Sequence, residues 1–460
     1  MQKQLFLLIF LTILSCAEEK KVDKGVFFGG QIINPSSDYI SLYQLDKRVD
    51  SLALDTNNRF AKRYDSLDYG LFKMEHLPEN QRVLIEAGDS IWARANMTDF
   101  NSSLVFSGPG SAKNNFLMDI YLKIENERRF LSSKYALESK DFRQLIDSLI
   151  EDKKQQWSRF TNNQSLSPFA QKLTQAAYVF PYATRMERYA LIRGQEEVKK
   201  DSSYYQFRKF LSYGEGSLVY FEPYINYLMS YLSKEALLDG GSYFQQKNTS
   251  EFNIRRIQII DDRIGNLVLR NTLARAVAYE ELLNFKNHAN HDRFLQYYLA
   301  LNTSNTYLSE ILNLHQSLIQ MEPGRSLPEV ELETFEGDIR SSKDVLNGRP
   351  TVIYFWSQTQ MNHFKRTQER VKKYKKEFPN FRFVGICIQP YNELVHDYQN
   401  MMKISPEDQY ALVDFESVSS AWVITLLNKG IIIDKNGMIE DGFSNFSAAN
   451  FSQVLAQFNP

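Results

Sequence analysis

The alternation of apolar and polar positions divides the chain into three stretches of different period. Between residue 25 and about residue 107 the apolar runs are short. Val26 to Ile33 is apolar around a Gly29-Gly30 break, while Ile40 and Leu42, then Leu52 and Leu54, alternate with polar neighbours. Further runs lie at Arg82 to Ile85, Ile91 to Ala93 and Leu104 to Phe106. Turn chemistry separates them at Asn34-Pro35-Ser36-Ser37, Asp55-Thr56-Asn57-Asn58 and Gly88-Asp89. A strand of this kind has one oily face that only a second sheet covers, so the stretch predicts a β-sandwich-like domain over residues 25–110. Its closing segment, Phe106 to Ser111, holds Gly108 and Gly110 but lacks the Gly-Lys-Thr/Ser ending of a phosphate-binding loop. A turn into a helix capped by Ser111 is the better reading.

From Ser111 to Gln320 the period lengthens to three and four, which predicts a helical domain over residues 111–322. Phe116, Ile120 and Leu122 open the first helix. Phe142, Leu145, Ile146 and Leu149 mark a second, which Trp157 and Phe160 extend. Others are expected over Phe169 to Tyr178, Tyr224 to Leu238, Ile257 to Leu283, Phe294 to Leu301 and Tyr307 to Ile319. The expected breaks are Phe180-Pro181, Gly214-Glu215-Gly216 and Gly240-Gly241. Tyr220, Phe221, Tyr224, Tyr227 and Tyr231 read as a core stripe rather than a cofactor pocket.

The third pattern begins with Val352-Ile353-Tyr354-Phe355-Trp356, an apolar run that breaks into polar residues and then into a helical repeat. Phe364, Thr367, Val371, Tyr374 and Phe378 recur at steps of three and four, with Lys and Arg between them. A buried strand feeding a helix is the first unit of an α/β domain, and its turn is where such domains place chemistry, because unpaired helix N–H groups point out of it.

The first residues are not part of any of these. Lys3 precedes an apolar run, Leu5 to Leu14, that is too short for a permanent membrane span and reads as an export signal over residues 1–15. Its end, Ile13-Leu14-Ser15-Cys16, resembles the bacterial lipobox. That resemblance implies cleavage before Cys16, acylation of its thiol and amine, and attachment to the outer membrane through the lipid. Cleavage removes only Lys3 among charged residues, so the formal charge moves from -1 to -2. A charged tether, residues 16–24, follows. Its Glu18-Glu19 pair resembles the surface-export signals of Bacteroidetes lipoproteins, and a periplasm-facing body stays open as the alternative. A net charge near zero, with no arginine-rich patch among exposed aromatics, argues against nucleic acid as a partner. With Cys16 acylated, the one remaining cysteine, Cys387, has no intrachain partner.

From Leu327 a specific resemblance emerges. Leu327-Pro328-Glu329-Val330-Glu331-Leu332 followed by Phe335-Glu336-Gly337-Asp338 is similar to the opening hairpin of TlpA-like and peroxiredoxin-like thioredoxin-fold proteins. The strand to Trp356, the helix to Phe378, the strand Phe381 to Ile388, a helix around Leu394 to Met402, a strand at Ala411-Leu412-Val413, the Ile431-to-Ile439 hairpin turning at Asn436-Gly437, and a last helix with Phe451, Val454, Leu455 and Phe458 follow in that family's order. The fold class expected is therefore multidomain α+β: a β-sandwich-like domain, a helical middle and a C-terminal thioredoxin-like α/β domain over residues 323–460. The front and middle stretches also look like those preceding this domain in Bacteroidetes lipoproteins.

The departures from the family pattern bear on function. Where the resemblance places a redox cysteine pair, this chain has Gln360 and His363, with Met361-Asn362 between them. Thiol–disulfide exchange needs one thiolate to attack and a second thiol to resolve, and neither an amide nor an imidazole does either. Where the family has a cis-proline, counting back from Asp434 gives Asn428. Cys387 lies in a continuous apolar run typical of a strand covered on both faces, which predicts an inert thiol. His363 at a helix start is expected to stay neutral, but a general base also needs an orienting partner and a nucleophile. Glu369 and Asp434 are the nearest candidates by sequence. His288 and His291, three apart beside Asp292, lack a further ligand and read as a solvated turn. His76 is alone, and His315 reads as an interface or core residue. No metal and no cofactor is expected.

The leading expectation is a lipid-anchored, non-enzymatic accessory protein that binds another envelope or outer-membrane protein. Trp356, Met361 and Phe364 are its candidate contact surface, Trp356 being equally a candidate for the core. The alternatives are a TlpA-like thiol–disulfide oxidoreductase and a carbohydrate- or nutrient-uptake accessory with an aromatic-lined cleft in the helical middle.

Overall fold

The computed structural model describes residues 25–458, apart from 45, 46, 66, 68, 78, 239, 285–290, 347, 359 and 392–404. Residues up to Asp119 form one unit and those from Ile120 a second. In the first, eight strands make two four-stranded sheets: β1 (Val26–Ile33), β2 (Tyr39–Gln44), β3 (Lys47–Ala53), β4 (Arg59–Tyr64), β5 (Gly70–His76), β6 (Glu79–Ile85), β7 (Ser90–Asn96) and β8 (Val105–Ser107). Their orders are β4-β1-β7-β8 and β3-β2-β5-β6. Inward residues of both sheets, among them Phe28, Ile40, Phe72, Met74, Val83 and Ile91, form a single core. The sequence pattern leaves out β4 and β5. Only Phe60 of β4 is buried, among Arg and Lys, so its period-two signal is masked by charge. β5 does alternate, with Phe72, Met74 and His76 inward, but the third inward residue is a polar one. His76 is a satisfied core histidine. Its Nε2 accepts from the Ser36 backbone N–H at 2.9 Å, and its Nδ1 lies 2.9 Å from the Tyr39 carbonyl.

One edge of each sheet is closed by a helix, α1 (Ser111–Ser133). The Asn114 side chain accepts from Leu84 N–H at 2.8 Å and donates to Leu84 C=O at 2.9 Å. Asn115 does the same to Phe106, at 2.9 and 2.7 Å. β6 and β8 are edge strands, so each amide stands in for a missing neighbouring strand. Asn114→Ala is expected to cost about 1–3 kcal/mol, because it orphans two buried backbone groups at once. Urea denaturation checks this, and an unchanged midpoint would count against the clamp.

In the second unit, long helices come first: α2 (Ser139–Asn162), α3 (Pro168–Arg193), α4 (Glu222–Ala236), α5 (Ser250–Arg263), α6 (Leu267–Leu282), α7 (His291–Leu301) and α8 (Asn305–Gln320). Two expectations are corrected. Pro181 does not end a helix but lies inside α3. An interior proline costs on the order of 3 kcal/mol, and burial of Tyr178, Phe180, Tyr182, Ala183 and Met186 on both sides of it offsets that. The segment from Ile257 to Leu283 is not one helix. It breaks after Arg263, and Asn266 caps α6 by accepting from Leu269 N–H at 3.0 Å. The tyrosine stripe is core as expected: Phe221, Tyr224, Tyr227 and Tyr231 are buried.

The C-terminal part is a seven-stranded mixed sheet of order β10-β9-β13-β12-β11-β14-β15. Its strands are β9 (Glu331–Thr334), β10 (Ile339–Ser341), β11 (Thr351–Trp356), β12 (Arg382–Cys387), β13 (Gln409–Leu412), β14 (Lys429–Ile433) and β15 (Ile439–Asn445). Helix α9 (Met361–Glu377) joins the parallel pair β11 and β12, and α10 (Phe451–Gln457) follows the antiparallel β14–β15 hairpin. Gly437 at φ 77 makes that hairpin's turn, a conformation that suits a residue without Cβ. A parallel βαβ unit flanked by an antiparallel hairpin and a closing helix is the thioredoxin-like arrangement. The helix expected around Leu394 to Met402 and the lipidation residue Cys16 lie outside the described residues. No described helix is long and apolar enough to cross a membrane.

Candidate functional site

β11 is buried at every position because it is covered on both faces and paired on both edges, by β12 and by β14. Its C-terminal end therefore delivers Ser357, Gln358 and Gln360 to the rim of the sheet, beside the segment that follows β12. Gln389 ties the two together: its Oε1 accepts from Ser357 Oγ and from Gln358 N–H, each at 3.1 Å. Gln358 Nε2 in turn donates to the Pro390 carbonyl at 2.7 Å.

Gln360 is exposed and precedes α9 without a side-chain cap. Its carbonyl accepts from His363 N–H at 2.9 Å and from Phe364 N–H at 3.1 Å. His363 is half-buried. Burial first, then the charges of Arg366 and Arg370, pushes its imidazole below the usual histidine range, so the ring is neutral at pH 7. Neither ring nitrogen has a hydrogen-bond partner among the described residues, so none of them fixes its tautomer. Asp434 is engaged elsewhere, accepting from the backbone of Asn436 and Met438 at 2.8 Å each in the hairpin turn. Glu369 is exposed on α9.

Of the proposed contact residues Phe364 is corrected, being core rather than surface, and Trp356 takes the core alternative, with ring centroids 4.2 Å apart and almost no exposure for either. The cause is the helical step from Gln360: the first turn of α9 rolls Phe364 inward onto the last side chain of β11. Nothing is described of the Met361 side chain.

Cys387 ends β12 directly beside Trp356 in the parallel register. It is fully buried, and burial pushes its thiol up to about 12. At pH 7 that leaves roughly one part in 10⁵ as thiolate, against a few per cent for an ordinary cysteine. Its Sγ lies 3.9 Å from Gln389 Oε1, and it is the only cysteine among the described residues.

Asn428, opposite this rim, is half-buried, and its carbonyl accepts from Phe446 N–H at 2.8 Å. The neighbour that sequence reasoning missed is Lys429, whose ammonium is buried at the start of β14. It donates to the Val423 carbonyl at 3.1 Å and lies 4.3 Å from the centre of the Phe443 ring. Desolvation pulls its pKa down to about 7, with Asp441 acting weakly in the other direction. Val423 itself has φ 50, a strained value for a β-branched residue. A charged residue opening an otherwise apolar strand was the one available signal.

Elsewhere, the expected solvated turn is corrected in part: His291 is buried at the start of α7, its ring 6.0 Å from His315. His288 lies outside the described residues. Among the described residues no group of three or more His, Cys, Asp or Glu is placed to hold a metal ion.

No family model matches the chain, and no curated protein does. Several solved structures resemble part of it. The thioredoxin domain of a thiol-disulfide oxidoreductase from Bacteroides vulgatus is 19% identical, with 30% of this chain and 99% of that one covered at a TM-score of 0.26. A thiol-disulfide oxidoreductase from Bacteroides fragilis is 20% identical over 29% of this chain and 99% of its own, TM-score 0.24. A thiol:disulfide interchange protein from Bacteroides sp. is 16% identical over 30% and 90%, TM-score 0.24. At these identities the likeness concerns fold alone, and the strand order described above carries the fold assignment.

Proposed function

We propose that this chain is a lipid-anchored cell-envelope protein whose thioredoxin-like domain carries out no thiol–disulfide exchange and serves instead as an accessory, protein-binding subunit of an outer-membrane complex. The supporting observation is the state of its sulfur. The chain has two cysteines, one in the lipobox-like segment and one sealed inside the sheet, while Gln360 and His363 occupy the helix start where exchange chemistry would sit. The core survives that loss because the exchanged positions are at the helix end, outside the packing of Trp356 on Phe364. In this reading residues 1–15 are removed, Cys16 bears the lipid, and residues 16–24 tether the body.

The redox half is tested with the purified mature chain and a dithiol or disulfide substrate. Turnover is expected to equal that of Cys387→Ala, and native Cys387 is expected to resist alkylation until the chain is unfolded. A rate that falls when Cys387 is replaced would restore the oxidoreductase reading. The partner half is tested by affinity capture from detergent-solubilised membranes. A stoichiometric protein supports the accessory role, and a clean monomer that binds an oligosaccharide argues against it.

A further inference from the structure

Helix α9 has two unlike sides. Phe364, Thr367, Gln368, Val371 and Tyr374 are buried against the sheet at steps of three and four. Opposite them stand Lys365, Arg366, Lys372, Lys373 and Lys376, all exposed, and half-buried Arg370. The carboxylates on that side are Glu369 and Glu377, the second paired with Lys373 at 3.6 Å. At the margin Lys375 is held by Asp408 at 2.9 Å, which also accepts from Arg382. The whole chain is nearly balanced, with 54 basic and 55 acidic residues, so this excess of positive charge is local. From Lys365 to Lys376 it runs along about 17 Å of one helix.

We infer that this face of α9 docks onto an anionic lipid surface. The choice of partner follows from what the face lacks. Between Asn362 and Glu377 no apolar side chain is exposed on it. Stable protein interfaces rest on desolvated aromatic or aliphatic anchors and are depleted in lysine at their centre. A lipid surface needs neither, because mobile anionic headgroups gather under each cation and each contributes separately. A single-stranded polynucleotide would meet the charge, but no exposed aromatic stands on this face for a base to stack on. The inference draws on the proposed lipid anchoring only to say that such a surface is within reach.

The test uses the mature chain without its first, lipid-bearing residue, so that acylation does not contribute. It is expected to sediment with vesicles of phosphatidylcholine containing about three parts in ten phosphatidylglycerol and not with pure phosphatidylcholine, and to be released by high salt. The triple variant Arg366→Gln, Lys372→Gln, Lys376→Gln is expected to bind about a hundredfold more weakly with an unchanged unfolding midpoint. The charge-keeping set Arg366→Lys, Lys372→Arg, Lys376→Arg is expected to bind like the parent. Equal binding to both vesicles, binding to neither, or full binding by the triple glutamine variant would each overturn it. The mass of the N-terminal peptide from membranes reports acylation separately, so failure of the anchor and failure of the helix face are told apart.

Discussion

Arg208→Met is expected to lower the stability of the helical part by about 3–5 kcal/mol, read as a shift of its urea transition. The reason is Glu187 on α3, which is completely buried. Arg208 donates to its two carboxylate oxygens at 2.7 and 2.6 Å, and a third N–H reaches Glu235 of α4 at 3.0 Å. The guanidinium also lies 4.3 Å from the Tyr205 ring centre and 4.9 Å from that of Tyr231. Burial pushes the Glu187 carboxyl above the usual range, and Arg208 is what opposes that. Removing the cation leaves a buried carboxylate that must take up a proton or admit water. The double variant Glu187→Leu, Arg208→Met is expected to lose much less, because it leaves no orphaned charge. A single variant within about 1 kcal/mol of the parent would mean that Glu187 is hydrated and the pair unimportant.

Stability is also expected to rise as pH climbs from about 7 towards 9.5, and Lys429→Met is expected to abolish that rise. A lysine whose folded pKa is depressed holds its proton longer in the unfolded chain, up to about 10.4. Between the two values the unfolded state binds more protons, so unfolding becomes harder as pH rises. The penalty of the buried ammonium is complete below pH 7 and fades above it, at up to about 1.4 kcal/mol per pH unit and on the order of 4 kcal/mol in total. The Val423 carbonyl and the Phe443 ring stabilise the charged form and reduce that figure. Lys429→Met removes the ammonium while keeping the length of the side chain, so the variant should be more stable than the parent at pH 6.5, with the gap narrowed to about 1 kcal/mol near pH 9.5. Parallel pH profiles for the two proteins in urea denaturation would refute the account.

Much of the architecture is legible in the amino-acid sequence. Period two over residues 25–107 and period 3.6 beyond Ser111 are properties of neighbouring residues, and they yield most of the strands and helices, with β4 and β5 left out and α5 and α6 run together. The run Phe383 to Ile388 was recognisable as a strand covered on both sides, and Cys387 is indeed sealed within it. What local pattern misjudged was decided by neighbours. Pro181 reads as a break, yet α3 continues because elements packed around it bury both flanks. Phe364 reads as a surface because it borders a polar loop, and Trp356 reads either way, yet the sheet and the helix close on both.

The amino-acid sequence alone determined that Gln360 and His363, not a cysteine pair, stand at the start of α9, since no folding supplies a sulfur that these side chains lack. It also determined the repeat that places cations between the apolar positions of α9. Tertiary structure alone decided that Glu187 meets Arg208, that Lys429 loses its water, and that Asn114 and Asn115 close two sheet edges. Those outcomes join residues distant along the chain, and burial and pairing depend on which faces other elements cover, information that no local period contains.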